Sequence, residues 1–155
     1  LSGARAIITS SSDRKLARAK ELGAAEGINY KTTPDWDKPA RELTGAGVDH
    51  VVEVGGGGTL VRSFKAARTG GRIYLIGVLT GNAGEVNPVM VLMKNLRLQG
   101  IFVGSRAMFE DMNRSIALHG IKPVIDRVYG CDEAPAALKA LAEAGHVGKI
   151  VIRID

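Results

Sequence analysis

Short apolar segments alternate with amphipathic ones along nearly the whole 155-residue chain, and glycine marks most of the boundaries between them. The apolar segments are rich in Val and Ile on both faces, which is typical of parallel strands buried between two layers of helices. The repeated strand–helix unit predicts a doubly wound α/β fold, with a parallel sheet and helices on both faces. Ligands of such sheets bind beyond the carboxyl ends of the strands, so the turns after the strands are the candidate site. The predicted strands cover residues 6–9, 27–30, 48–54, 72–78, 96–103 and 150–154.

The predicted helices follow from capping residues and apolar spacing. Ser12 or Asp13 begins a helix that ends at Leu22, and Asp132 begins another. The glycines at residues 70–71 are expected to end a third. Further helices are expected at 87–93 and 105–118, with a short or irregular one within 32–43 because of two prolines. The side chains expected in the core of these helices are Leu60, Phe64, Met90, Met93, Met108, Met112, Ile116, Leu138 and Leu141.

The composition excludes several classes of protein. A hydrophobic content of 45% and a charged content of 24% are ordinary for one globular domain. A single cysteine excludes an internal disulfide and a cysteine-based metal site, and it fits a reducing, cytoplasmic location. The net charge of +5 comes from scattered cations and the aromatic content is only 5%, which argues against a nucleic-acid partner. No apolar run is long enough to cross a membrane.

The beginning of the chain is typical of the end of a helix. Residues 1–4 contain no initiator Met and no signal peptide, and Gly3 stands where a helix cap would lie, directly before the first strand. We therefore expect the chain to be truncated, with a strand and a helix preceding Leu1.

The turn after the first strand combines hydroxyl groups with cations. Ser10, Ser11 and Ser12 precede a helix N-terminus whose free N–H groups favour an anion, and Arg14 and Lys15 follow them. Doubly wound domains that select NAD carry an acidic residue at the end of the second strand, and no acid stands at that place here. The turn therefore favours the 2′-phosphate of NADP, with NAD still open. A serine-rich helix cap with two solvated cations is the alternative.

A glycine turn follows the strand at 48–54. Val54 is followed by four glycines that begin with Gly55, and a backbone can approach a ligand closely there because glycine has no Cβ. Neither reading frame gives the G-x-G-x-x-G fingerprint of dinucleotide-binding domains. An acid followed by glycines is also found in methyltransferases that bind S-adenosylmethionine, and this is the second candidate function. A flexible turn with no ligand is the remaining alternative.

No catalytic group can be assigned from the sequence. His50, His119 and His146 stand apart from one another, and they read as satisfied or solvated histidines. Cys131 stands alone and reads as a packing or incidental thiol. The sequence therefore predicts no metal ligand and leaves the catalytic residues unknown.

Seven short segments form the clearest pattern in the chain: ITSSSDRKL at residues 8–16, ELGA at 21–24, INY at 28–30, GVD at 47–49, EVGG at 53–56, GGRI at 70–73 and GKIV at 148–151. Their order and spacing resemble the medium-chain dehydrogenase/reductase superfamily, which includes zinc-type alcohol dehydrogenases and quinone oxidoreductase-like proteins. The resemblance covers essentially the whole chain. It implies a Rossmann-like domain of an NADP-dependent oxidoreductase, an enzyme that moves a hydride between the nicotinamide and a small-molecule carbonyl, alcohol or conjugated alkene.

The resemblance also implies roles for individual residues. Lys15 and Tyr30 would contact the 2′-phosphate, Gly55 would lie along the cofactor, and the strand ends at 76–78 and 102–104 would flank the nicotinamide. Lys149 is a weaker candidate. The full set of expected cofactor-binding residues is Ser10, Ser11, Ser12, Arg14, Lys15, Tyr30, Val54, Gly55, Ile76, Gly77, Val78, Phe102, Val103 and Lys149.

The chain also lacks parts that the family has. The glycine fingerprint, the first Rossmann strand and the catalytic domain with any zinc ligands would precede Leu1, so the chain alone is expected neither to bind the dinucleotide well nor to turn over substrate. The missing strand is central in the order 3-2-1-4-5-6, and its loss is expected to leave two facing strand edges unpaired. The resemblance divides the chain into a partial nucleotide-binding domain, 1–120, and a segment returning to the catalytic domain, 121–155. It also implies a homodimer through the strand at 98–103.

Overall fold

A computed structural model describes residues 3–154 and has the α/β architecture expected from the sequence. Every strand pair within those residues is parallel. Gly3 has a φ of +65°, as expected of a glycine that follows a helix, whereas the helix end itself would fall on Leu1 and Ser2, outside the described residues. The elements in chain order are β1 (Ile7–Ser10), α1 (Asp13–Glu21), β2 (Glu26–Asn29), α2 (Asp37–Glu42), β3 (Val48–Glu53), α3 (Leu60–Ala66), β4 (Ala67–Leu75), α4 (Val89–Met93), β5 (Arg97–Gly100), α5 (Arg106–Leu118), β6 (Ile125–Tyr129), a 3₁₀ turn (Cys131–Glu133), α6 (Ala134–Ala142) and β7 (Lys149–Ile152).

The chain forms two compact units, Leu1–Val103 and Gly104–Asp155. The first contains β1 to β5 with α1 to α4, and the second contains α5, α6 and the parallel pair of β6 and β7. The boundary between the units falls before α5, whereas the division after residue 120 concerns the domains of a longer protein and stays a prediction.

The strands of the first unit lie in two separate sheets. One pairs β1 with β2, and the other has the order β3-β4-β5. No backbone hydrogen bond joins β1 to β3 within residues 3–154, which agrees with the expected interruption of the sheet between these strands. The two sheets share a hydrophobic cluster that contains Ile28 of β2, Ala40 of α2 and Ala66 of α3, so the helices connect them where strand pairing does not.

The main core lies between α3 and the β3-β4-β5 sheet. Phe64 of α3 and Ile73 of β4 are completely buried, with Leu60 and Leu96 around them. Burial of side chains of this size supplies about 1.5–3 kcal/mol each. This packing holds α3 against the sheet.

Several expectations about individual elements are wrong. The glycines at 70–71 lie inside β4, because residues 68–71 form a bulge where the register with β3 shifts. β5 runs from Arg97 to Gly100, so it is shorter than the strand expected at 96–103, and Phe102 and Val103 lie beyond it. Asp132 lies in the 3₁₀ turn before α6, and Glu133 accepts the Gly130 N–H there. β6 was not foreseen at all.

The side chains expected in the core of the later helices are largely exposed. α5 and α6 contain one buried residue between them, Ala137. The exposed fractions are 75% for Met93, 61% for Met108, 49% for Met112, 63% for Leu138 and 53% for Leu141. Only Met90 of this group packs against the main core. Helical spacing therefore identified apolar faces correctly, but not what covers them.

Candidate cofactor site

The serine turn after β1 lies beside the end of β2. Ser10 pairs with Asn29 in the parallel ladder, and the Tyr30 N–H donates to the Ser10 carbonyl at 3.0 Å. Ser12 caps α1, since its Oγ accepts the Lys15 N–H at 3.4 Å. The structure therefore brings together the serines, Lys15 and Tyr30, as expected for a shared site. Tyr30 is 44% exposed and Lys15 is half-buried.

An acid near this turn was missed from the sequence. Asp13 lies in the first turn of α1, where its Oδ1 accepts a hydrogen bond of 2.7 Å from Asn29 Nδ2. The Asn29 Oδ1 in turn accepts the Lys31 N–H at 3.0 Å. Asn29 thus orients the Asp13 carboxylate. The sequence signal for this acid is Asp13 itself, directly after the three serines, at a place where an aspartate also fits a helix cap.

The turns after β3 and β4 are joined by main-chain hydrogen bonds. We call residues 54–59 the β3 turn and residues 76–81 the β4 turn. The Leu79 N–H donates to the Val54 carbonyl at 3.0 Å, and the Thr80 N–H donates to the Gly55 carbonyl at 2.8 Å. The Gly57 N–H donates to the Gly81 carbonyl at 3.0 Å. Five expected site residues therefore lie in one joined structure: Val54, Gly55, Ile76, Gly77 and Val78.

The Thr80 side chain adds a further connection between the two turns. Its hydroxyl donates to the Gly55 carbonyl at 2.8 Å and accepts the Gly58 N–H at 2.9 Å. The hydroxyl therefore spans the β3 turn from one side to the other.

The glycines of the β3 turn are needed for this contact between the turns. Gly56 has a φ of +83°, and a Cβ on it would lie 2.8 Å from Val78 Cα. A Cβ on Gly57 would lie 2.0 Å from the Ala83 carbonyl oxygen. The space beside these glycines is therefore filled by the protein itself, whereas the sequence suggested that it would admit a ligand.

The side chain of Glu53 holds the β3 turn through hydrogen bonds. Its Oε1 accepts hydrogen bonds from the Gly55 N–H at 2.7 Å, the Gly56 N–H at 3.0 Å and the Thr59 hydroxyl at 2.6 Å. Its Oε2 accepts a hydrogen bond from the Ser63 hydroxyl. The residue is 3% exposed, and no cation lies within ion-pair distance of it in the part of the chain that the structure describes. All the hydrogen bonds that this carboxyl group accepts therefore come from the β3 turn and from α3.

Apolar side chains surround the strand ends. Val54, Ile76 and Val78 are about half exposed, and Phe102 beyond β5 is 93% exposed. Val103 has a φ of +48°, which is strained for a β-branched residue. Accessible apolar surface at these positions suits an aromatic ring.

The other residues considered from the sequence belong to other elements of the chain. Lys149 belongs to the second unit, where it begins β7 and its N–H donates to the Val124 carbonyl at 2.8 Å. His50 stacks on Tyr74, with 3.2 Å between its Nδ1 and the phenol oxygen. The Nδ1 of His146 is buried without a hydrogen-bond partner among the described residues. Cys131 is exposed and unbonded.

Residues 3–154 contain no cluster of three or more His, Cys, Asp or Glu arranged to hold a metal ion. None of their helices has the length and apolar character needed to cross a membrane.

Comparison with known proteins shows the family. Residues 1–118 match a family described as zinc-binding dehydrogenase, and the chain belongs to that family. A zinc-type alcohol dehydrogenase-like protein of Schizosaccharomyces pombe is 42% identical over 158 residues, which cover 99% of this chain and 46% of that protein. The fold is shared with a solved NAD-dependent alcohol dehydrogenase, at 36% identity and a TM-score of 0.88, over 99% of this chain and 45% of that one. It is also shared with a quinone oxidoreductase of Pseudomonas syringae, at 26% identity and a TM-score of 0.80, over 98% and 50% of the two chains.

These comparisons confirm the resemblance to the medium-chain dehydrogenase/reductase superfamily and the Rossmann-like fold class. The chain spans about half the length of the proteins that it matches. The methyltransferase alternative does not agree with these comparisons, because the chain belongs to a dehydrogenase family.

Proposed function

We propose that this chain is the cofactor-holding part of an NADP-dependent oxidoreductase, which moves a hydride between the nicotinamide and a carbonyl, alcohol or conjugated alkene. When bound, the nicotinamide supplies the hydride chemistry. The chain's own residues bind the dinucleotide and orient it. The observation that carries the proposal is the grouping of the serine turn, Lys15 and Tyr30 at the carboxyl ends of β1 and β2.

The 2′-phosphate of NADP suits this grouping. The first turn of α1 has backbone N–H groups without carbonyl partners inside the helix. The positive end of the helix dipole lies at the same place and favours an anion. The serine hydroxyls can donate to phosphate oxygens, and Arg14 and Lys15 offset the phosphate charge. The Tyr30 ring lies at the end of β2 with nearly half of its surface accessible.

NAD is the second candidate cofactor, and two observations favour it. Asp13 carries a negative charge in the same helical turn, where a carboxylate could accept hydrogen bonds from ribose hydroxyls. The NAD-dependent alcohol dehydrogenase that shares the fold is the second observation.

Replacement of Lys15 by alanine distinguishes the two cofactors. We expect Lys15→Ala in the complete protein to raise the Kd for NADPH by at least about tenfold, because a charge-assisted hydrogen bond contributes about 1.5–3 kcal/mol. The Kd for NADH should stay within about twofold. Both constants are measured by titration of the nicotinamide fluorescence.

The matched control for this experiment is Lys20→Ala. Lys20 lies in the last turn of the same helix, where it pairs with Glu26 at 3.4 Å. It should change neither constant. An equal loss of NADPH and NADH affinity in Lys15→Ala would contradict the 2′-phosphate role.

The nicotinamide end of the cofactor is assigned to the apolar strand ends. Val54, Gly55, Ile76, Gly77 and Val78 are held in one structure by the joined turns, and their accessible apolar surface suits the face of the ring. Phe102, Val103 and Lys149 remain proposed contacts. The catalytic groups and any zinc ligands are proposed to come from other parts of the complete protein, as is the substrate pocket. A cytoplasmic location and the inactivity of this chain alone also stay predictions.

A further inference from the structure

The buried carboxylate of Glu53 has no role in the cofactor contacts proposed above. We propose that Glu53 is a positioning residue, which holds the β3 turn and, through it, the β4 turn in the shape that receives the cofactor. The inference rests on the proposed function, because it assigns to Glu53 an effect on cofactor binding without contact to the cofactor.

The carboxyl group of Glu53 holds several groups in place at once. A carboxylate can accept about four hydrogen bonds, and Glu53 accepts four, two from consecutive backbone N–H groups of the β3 turn and two from hydroxyls of Thr59 and Ser63. Thr59 is the last residue of the turn and the N-cap of α3, and Ser63 lies within α3, which the buried Phe64 anchors to the sheet. Glu53 therefore ties the turn to a rigid element.

Burial of the Glu53 carboxyl group costs free energy unless its oxygens accept hydrogen bonds. A carboxyl group that is 3% exposed has lost nearly all contact with water, and no cation lies within ion-pair distance of it among the described residues. Its oxygens are met by hydrogen bonds from the β3 turn and from α3. A side chain without an acceptor at this position would leave the N–H groups of Gly55 and Gly56 without a buried partner, which favours a different conformation of the turn.

Gly55 connects the β3 turn to the β4 turn. The Gly55 carbonyl accepts hydrogen bonds from both the N–H and the hydroxyl of Thr80, so the position of Gly55 sets the position of the β4 turn. The Gly77 main chain is equally constrained, since a Cβ on it would lie 2.9 Å from the Val54 carbonyl oxygen. A shift at Gly55 therefore displaces Val78, which the proposed function places against the nicotinamide.

The test compares three variants of the complete protein. Glu53→Ala removes all four hydrogen bonds, and we expect it to raise the Kd for NADPH at least tenfold and to speed the amide hydrogen exchange of Gly55, Gly56 and Thr80. Glu53→Gln keeps an oxygen acceptor toward the turn and can donate to the Ser63 hydroxyl, so it should restore the Kd to within about threefold of wild type. Ser63→Ala frees only Oε2, and it should give intermediate exchange rates and affinity.

The control separates positioning from general stability. Phe64→Leu reduces packing in the adjacent core and leaves every hydrogen bond of Glu53 in place, so it should lower the urea midpoint with little change in Kd. If Phe64→Leu weakens binding as much as Glu53→Ala does, or if Glu53→Ala binds NADPH as wild type does, the positioning role is overturned. If Glu53→Ala does not fold, Ser63→Ala and Glu53→Gln decide the question: a Kd that follows the exchange rates of Gly55 and Gly56 supports the role, and a Kd that is independent of them overturns it.

Hydrogen exchange without cofactor keeps the two proposals distinguishable. A wild-type protein that binds neither NADPH nor NADH, but whose turn amides depend on residue 53, would contradict the proposed function alone. A wild-type protein that binds NADPH, with a Glu53→Ala variant that binds it equally well, would contradict the role of Glu53 alone.

Discussion

Arg62 of α3 joins two carboxylates at the start of α2. Its Nη1 donates to Asp35 Oδ1 at 2.7 Å and to Asp37 Oδ1 at 2.9 Å, and Asp37 is only 5% exposed. Hydrogen bonds from Lys38 and then Arg62 lower the pKa of Asp35 below its ordinary value of 3.8, and both cations also lower it through their charge. This group of ions connects α2 to α3, the helices that the two sheets of the first unit share.

The lowered pKa of Asp35 predicts a loss of stability in acid. Because the folded protein binds this proton less tightly than the unfolded chain, the contribution of Asp35 is complete above about pH 5 and is lost as the pH falls through the folded pKa. Between about pH 5.5 and pH 3 at low salt, Asp35→Asn should therefore lose less of its urea midpoint than wild type loses. Glu85→Gln, which replaces an exposed acid without an ion-pair partner among the described residues, should behave as wild type. Equal acid sensitivity of Asp35→Asn and wild type would refute the contribution.

At the scale of elements, the side chain of Lys94 caps the C-terminus of α3. Its ammonium donates to the carbonyls of Phe64 at 2.6 Å, Lys65 at 3.0 Å and Ala67, groups that have no partner inside the helix. Burial, followed by repulsion from Arg41, lowers the pKa of Lys94. The cation thus completes the C-terminus of α3 at the point where the chain turns directly into β4.

Removal of the Lys94 ammonium should destabilise this helix end. We expect Lys94→Met to reduce the free energy of unfolding by about 1–3 kcal/mol, because three carbonyls lose a charged donor and the methionine retains most of the packing volume. The measurement is urea unfolding of the complete protein. Lys65→Met is the matched control, since Lys65 is an exposed lysine of the last turn of α3, and it should change the free energy by less than about 0.5 kcal/mol. The interpretation fails if the two substitutions cost the same.

The sequence was sufficient for elements whose signals are local. The Ser12 cap, the apolar run of β3 and the face of α3 that carries Phe64 are each set by neighbouring residues, and the structure has them as expected. β6 was missed because Asp126 and Arg127 interrupt its apolar pattern, and its position depends on pairing with β7. The bulge at residues 68–71 depends in the same way on the register between β3 and β4.

The candidate site divides along the same line. The serine turn and the glycine turn could be read from the sequence because their chemistry lies in consecutive residues. The role of Glu53 could not, because its partners span ten residues and meet only when α3 packs on the sheet. The main-chain connection between the β3 and β4 turns was equally hidden, since backbone groups leave no trace in the residue types that form it.

At the scale of the whole molecule, β5 offers an open edge to a partner. Among the described residues it pairs with β4 alone, and Leu98 within the strand and Ile101 directly after it are exposed to 42% and 44%. The Ile101 N–H donates to β4, so by the alternation of a strand the Leu98 N–H points to the open edge. Such an edge needs a cover, and the expected homodimer through residues 98–103 would provide one.

A proline on this edge tests the dimer. Leu98→Pro removes an N–H of the open edge and leaves the pairing with β4 intact, so light scattering should show a monomer where the wild-type complete protein is a dimer. Gln99→Pro removes an N–H that faces β4 and should instead lower the urea midpoint. A wild-type protein that is monomeric at micromolar concentration, or a Leu98→Pro protein that remains dimeric, would contradict the proposed interface.

The joined turns separate the frame of the site from its lining. The hydrogen bonds between the β3 and β4 turns use backbone groups and the hydroxyl of Thr80, so the side chains of Val54, Ile76 and Val78 take no part in these bonds. Exchanges among apolar residues at these exposed positions should therefore alter the surface that the proposed function gives to the nicotinamide at nearly constant stability. The same frame can in this way carry many different linings, and a library built on these three positions would vary the fit to the cofactor ring without disturbing the fold.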